Sequence, residues 1–101
     1  MENQIANTIV SQLGGFGRLR MFIGLKSVIT EQNGLTLIFP KPKHKGSVNR
    51  VRIVLNGKDL YDLEFIRFSK RSTKIVKEDS DVYAEDLKGF FERGTGLYLS
   101  F

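Results

Sequence analysis

The chain has 101 residues, 41% of them hydrophobic and eight of them Phe, with a formal net charge of +5 and no cysteine. That length fits a single domain over residues 1–101 with enough apolar material for a core. The lack of cysteine excludes disulfides, thiolate nucleophiles and Cys-ligated metals, and no apolar run approaches the length of a membrane span. Residues 3–13 read as a helix, because Ile5, Ile9, Val10 and Leu13 fall on one face. Gly14-Gly15 stops it. Leu19 to Ile23 reads as a β-rich run, Gly24 as a bulge or bend, and Leu25 to Gln32 as extended chain. A two-residue turn at Asn33-Gly34 pairs Gln32 with Leu35, Ile29 with Ile38 and Val28 with Phe39. Pro40 and Pro42 end that strand, since proline donates nothing to a ladder. KPKHKGS at 41–47 reads as an exposed loop.

The stretch from Val48 to Phe68 organises the rest. Val51, Ile53 and Leu55 alternate with Arg50 and Arg52. Beyond Asn56-Gly57, Tyr61, Leu63 and Phe65 alternate with Asp62, Glu64 and Ile66. Two alternating runs about Asn-Gly predict a β-hairpin with one buried face. A slip of one residue would turn every apolar side chain outward. Both apolar sets share a face only if facing residue numbers sum to an even number. That excludes a two-residue turn and leaves a three-residue loop with a Gly bulge or a five-residue loop over Asn56–Leu60. The longer loop pairs Val51 with Phe65, Ile53 with Leu63 and Leu55 with Tyr61, and puts Arg52 opposite Glu64.

Ser69-Lys70-Arg71-Ser72 reads as a polar turn and Thr73 to Lys77 as a short strand, with Ile66 facing Ile75 and Glu64 facing Lys77. Ser80 or Asp81 suits a helix N-cap, with Glu85 and Asp86 near the positive end of the helix dipole. That helix is expected to run to about Arg93, with Val82, Tyr83, Leu87, Phe90 and Phe91 inward and Gly94 or Gly96 ending it. Leu97-Tyr98-Leu99-Ser100-Phe101 is too apolar to dangle in water and is expected to dock. The result is an α+β domain, order α-β-β-β-β-β-α: an antiparallel sheet of about five strands with an N-terminal and a C-terminal helix packed on one face.

Residues 1–77 hold fourteen Lys and Arg against five acids, and residues 78–101 hold two against six. A basic body therefore carries an acidic C-terminal element. The lone His44 has no triad partner in view. The acids are scattered, and Gly14-Gly15-Phe16-Gly17 follows a helix where a phosphate-cradling loop would follow a strand. Asp62 and Glu64 share a strand face with Arg50 and Arg52 opposite, which reads as an ion-pair ladder. The expectation is of no enzyme, no cofactor, no metal and no small-molecule substrate. The basic clusters are the functional lead, because phosphates are held by Lys and Arg without sequence reading. Candidate nucleic-acid contacts are Lys41, Lys43, Lys45, Arg50, Arg52, Lys70, Arg71 and Lys74, with Phe39 and Phe68 beside them as stackers if exposed. Lysines that merely solubilise loops, and two core Phe, are the competing interpretation. The alternative function is a protein–protein interaction module, engaging a partner or a second copy through LYLSF or a sheet edge.

QLGG at 12–15, LNGKDLYDLEF at 55–65, VYAEDL at 82–87 and TGLYLSF at 95–101 resemble a family of small proteins encoded by bacteriophages, prophages and mobile elements. The 40–47 loop, rich in lysine here, and Arg18 and Arg20 depart from it. The resemblance implies a phage-type accessory protein in the cytoplasm of a bacterial host, and it carries no catalytic residue. The polar, unbasic start of the chain is likewise expected to be no signal peptide.

Overall fold

The structure, a computed structural model, describes residues 4–40 and 48–97. Helices α1 (Gln4–Gln12) and α2 (Phe16–Ile23) come first. Five strands follow: β1 (Ser27–Glu31), β2 (Gly34–Ile38), β3 (Arg50–Leu55), β4 (Tyr61–Phe68) and β5 (Thr73–Val82). A 3-10 turn at Ala84–Asp86 leads into α3 (Leu87–Thr95). The strands form one antiparallel sheet in sequence order, as expected for an α+β domain. No helix among the described residues is long and apolar enough to cross a membrane.

The sheet has one covered face. Leu35, Leu37, Val51, Ile53, Leu63 and Phe65 alternate inward and join Ile9, Val10 and Leu13 from the first helical segment. Leu19 and Ile23 of α2 and Leu87 and Phe91 of α3 complete a single core. The central hairpin has the register of the longer of the two expected loops, with Val51 opposite Phe65, Ile53 opposite Leu63, Leu55 opposite Tyr61 and Arg52 opposite Glu64. The loop is the five-residue one, closed by Asn56 N–H donating to the Leu60 carbonyl at 2.8 Å.

Four elements differ from the sequence reading. Leu19 to Ile23 belongs to a helix, which Gly24 ends in the left-handed region at φ 67°. Leu19 and Ile23, four apart, are buried while Arg18, Arg20 and Met21 are exposed. The helical period is there, but a short run of β-prone residues hides it. In the first hairpin the turn residues are Gln32 and Asn33, and Thr30, not Gln32, faces Leu35. Gly34 lies in β2 because a Cβ there would collide with the Ile53 carbonyl oxygen of β3. The shift moves the pairing by two residues, so the side chains keep their faces.

Third, β5 reaches Val82, five residues past its expected end. Ile66 faces Ile75 as expected, but irregularities in the ladder bring Lys77 opposite Phe65 and Glu78 opposite Glu64. Fourth, α3 starts at Leu87, not near Ser80. Asp81 is instead a strand residue with φ 55°, its amide donating to Asp62 Oδ1 at 3.1 Å. Tyr83, expected inward, is exposed. Gly96, left-handed at φ 73°, ends α3. Leu97 packs on the core, while the rest of LYLSF lies outside the described residues.

Candidate nucleic-acid interface

No helix among the described residues packs on the second face of the sheet. Across it run two rows of facing residues. One is Ser27, Ile38, Arg50, Ile66 and Ile75, and the next is Ile29, Thr36, Arg52, Glu64 and Glu78. The two arginines, two residues apart on one strand, have different surroundings. Arg52 donates from Nε and Nη2 to both oxygens of Glu31 at 2.8 Å, and from Nη1 to Glu64 at 3.1 Å. These hydrogen bonds hold the Glu31 carboxyl below its ordinary range, against the opposing effect of burial. They also raise the Arg52 guanidinium further above the range in which it would lose its proton. Arg52 bridges β1 and β4, with two carboxylates matched against its one positive charge.

Arg50 pairs with no carboxylate among the described residues. Its guanidinium carbon lies 3.8 Å from the centre of the Phe68 ring, and its buried Nε finds no acceptor. The ring, not an acid, therefore fixes where this cation sits. Phe68 is 37% exposed. It is placed by Asn49, whose Oδ1 accepts from the Phe68 amide at 2.7 Å and whose Nδ2 donates to the Phe68 carbonyl at 3.0 Å. An amide side chain thus takes the part of one more strand residue beside the end of β4. Phe39, the other candidate stacker, is 2% exposed and packs against Phe91 with ring centres 6.3 Å apart. It is a core residue.

The turn after Phe68 brings further cations. Ser69 N–H and Oγ both donate to the Ser72 carbonyl, at 2.9 and 3.1 Å, and Ser72 N–H donates to Ser69 Oγ at 3.2 Å. This closed turn leaves Lys70 and Arg71 exposed at its tip. Beyond it Lys74, also exposed, faces Arg67 across the β4–β5 ladder. Like charges directly opposite each other on a sheet destabilise it, and an anion bound between them would remove that penalty. Arg67 adjoins this turn in the sequence, one residue before Phe68. Nothing local in the sequence marks Asn49.

These cations occupy one end of the strands. Phe39 N–H donates to the Asn49 carbonyl at 3.1 Å and Asn49 N–H to Ile66 O at 3.0 Å, so Pro40 and Val48 also stand at that end. Lys41, Lys43 and Lys45 fall between those two in the sequence, outside the described residues. The acids gather at the other end, where Glu31 closes β1, Asp62 opens β4 and Asp79 and Asp81 close β5. There Lys58 is held by Asp81 at 3.1 Å, and Asn56 Nδ2 donates to Asp62 at 3.0 Å and Asp81 at 2.9 Å. Glu85 and Asp86 follow immediately in the 3-10 turn. The sheet is thus electrostatically polar along its strands. Comparisons with protein-family models, with curated proteins and with solved structures find no match to this chain.

Proposed function

We propose that this protein is a nucleic-acid-associated accessory factor of the phage or mobile-element kind, acting in a bacterial cytoplasm. Its basic strand ends, with Arg50, Arg67, Lys70, Arg71 and Lys74, hold the phosphodiester backbone together with Lys41, Lys43 and Lys45. The observation that carries this reading is the contrast between the two arginines. Arg52 is matched by two glutamates, whereas Arg50 is held by an aromatic ring, and Arg67, Lys70, Arg71 and Lys74 lie at the same end of the strands. The test is titration with DNA and RNA at two salt concentrations. Each phosphate contact contributes roughly −0.7 to −0.9 to the slope of log affinity against log salt. Replacing Lys41, Lys43 and Lys45 by Ala reduces that slope and leaves the fold intact. Absence of binding at low salt removes the reading.

The exposed Ile29, Ile75 and Val76 favour a second reading, a protein-interaction module or homodimer formed on the open face or the β5 edge. A concentration-dependent dimer in sedimentation, together with no nucleic-acid binding, would favour that reading instead.

A further inference from the structure

We infer that the basic end prefers single strands, with an unpaired nucleobase extending the Arg50–Phe68 stack while the turn at 69–72 holds the adjoining phosphates. This rests on the nucleic-acid reading above and goes beyond it, since phosphate binding alone is indifferent to whether bases are free. The Arg50 guanidinium carbon lies 3.8 Å from the centre of the Phe68 ring, and Phe68 is itself 37% exposed, so the pair offers a flat aromatic surface backed by a weakly hydrated cation. Ile38 and Ile66 flank Arg50 on the adjacent strands and form apolar walls beside it. Bases stack on such cationic and aromatic planes whatever their identity.

Three features fit a strand of unpaired bases better than a duplex. The stacking plane is on a sheet face, not on a protruding helix or arm that could enter a groove. Bases inside a duplex already have both faces covered. The exposed cations Lys70 and Arg71 sit at a turn two and three residues from Phe68, close enough for neighbouring phosphates of one strand to reach them while a base lies on the stack. Asn49, gripping Phe68 through both its amide and its carbonyl, keeps the ring in place before anything binds. That preorganisation reduces the ordering cost of binding.

The test uses fluorescence anisotropy with the full chain and three ligands of equal phosphate number: a mixed single strand, its duplex, and an abasic strand with sugar and phosphate only. Arg50→Lys keeps the charge and loses the plane, and Phe68→Leu keeps apolar bulk and loses the ring. Thermal melts establish that both variants fold. Wild type is expected to bind the base-bearing single strand at least about tenfold more tightly than the abasic one, within the range of one stacked base. Each variant is expected to lose most of that preference, with the salt slope unchanged in Arg50→Lys. If wild type binds the abasic strand or the duplex as well as the base-bearing strand, the stacking inference is overturned and phosphate binding stands. Folded variants that keep the full preference also overturn it. If no ligand binds at low salt, both readings fall together.

Discussion

Gly94 and Gly89 lie five residues apart in α3, and replacing each with Ala should move stability in opposite directions. Alanine is favoured over glycine inside a helix by roughly 1 kcal/mol, because it loses less backbone entropy on folding. At Gly89 an added Cβ would meet, among the described residues, only Arg93 Nη1, at 3.6 Å, which is ordinary contact, so Gly89→Ala should gain up to about 1 kcal/mol. At Gly94 the same carbon would overlap Cε1 and Cζ of Phe65 and lie 2.7 Å from Cδ1. Phe65 is fully buried and cannot swing away without disturbing Val51 opposite it. Overpacking of this kind costs roughly 1–3 kcal/mol, which exceeds the helix gain over most of its range. For a domain of this size 1 kcal/mol moves Tm by roughly 4–8 °C. Thermal unfolding followed by circular dichroism should therefore show Gly89→Ala melting a few degrees higher than wild type and Gly94→Ala lower by up to about 16 °C. Trimming the ring in Gly94→Ala/Phe65→Leu should recover part of the loss, a coupling that a double-mutant cycle measures. If Gly94→Ala melts at or above wild type, α3 does not rest on Phe65 through its glycine and the packing described above is wrong.

Other perturbations read other parts of the molecule. Asn49→Ala removes both side-chain hydrogen bonds to Phe68, each contributing roughly 0.5–1.5 kcal/mol. It should lower Tm and speed hydrogen exchange at the Phe68 amide, and unchanged exchange there would contradict the clamp. Glu31 has a depressed pKa in the folded state, so its contribution to stability is present above the unfolded value of 4.5 and is lost as pH falls through the folded value. Arg52→Gln should flatten that acid limb in urea-midpoint measurements, and a limb unaltered by the substitution would refute the assignment. Burial raises the pKa of the Tyr61 phenol, with a hydrogen bond from Gln12 acting in the opposite sense. Alkaline ultraviolet titration should find a tyrosine that ionises late, and its disappearance in Tyr61→Phe would identify it.

The central hairpin was legible in the sequence because strict alternation has only one parity of pairing that buries both apolar sets, although parity left the three- and five-residue loops both open. The same reasoning could not locate the first hairpin turn. Asn33-Gly34 carries a turn signal, yet Gly34 is small for a tertiary reason: its backbone lies against the Ile53 carbonyl, and that neighbour is nineteen residues away. At 19–23, β-prone side chains masked a helical spacing too short to dominate a window. At the other end of the sheet, Ser80 and Asp81 have the composition of a helix cap, but Asp62 accepts the Asp81 amide and keeps the chain in the ladder. The candidate site divides in a similar way. The basic residues of the turn at 69–72 are exposed as their composition suggests. Which arginine of β3 is free depends on Glu31 and Phe68, twenty-one and eighteen residues from Arg52 and Arg50, and one-dimensional spacing contains no such information.

The separation of cations from acids along the strands gives the sheet an electric dipole roughly parallel to them, in a chain of net charge +5. In the field of any polyanion such a particle feels a torque as well as an attraction. It therefore turns its Arg50 end forward while still about a Debye length away, roughly 10 Å at 0.1 M salt. Added salt shortens the distance over which this alignment acts. Part of any ionic-strength dependence should then reside in the association rate, because fewer encounters begin in the productive orientation.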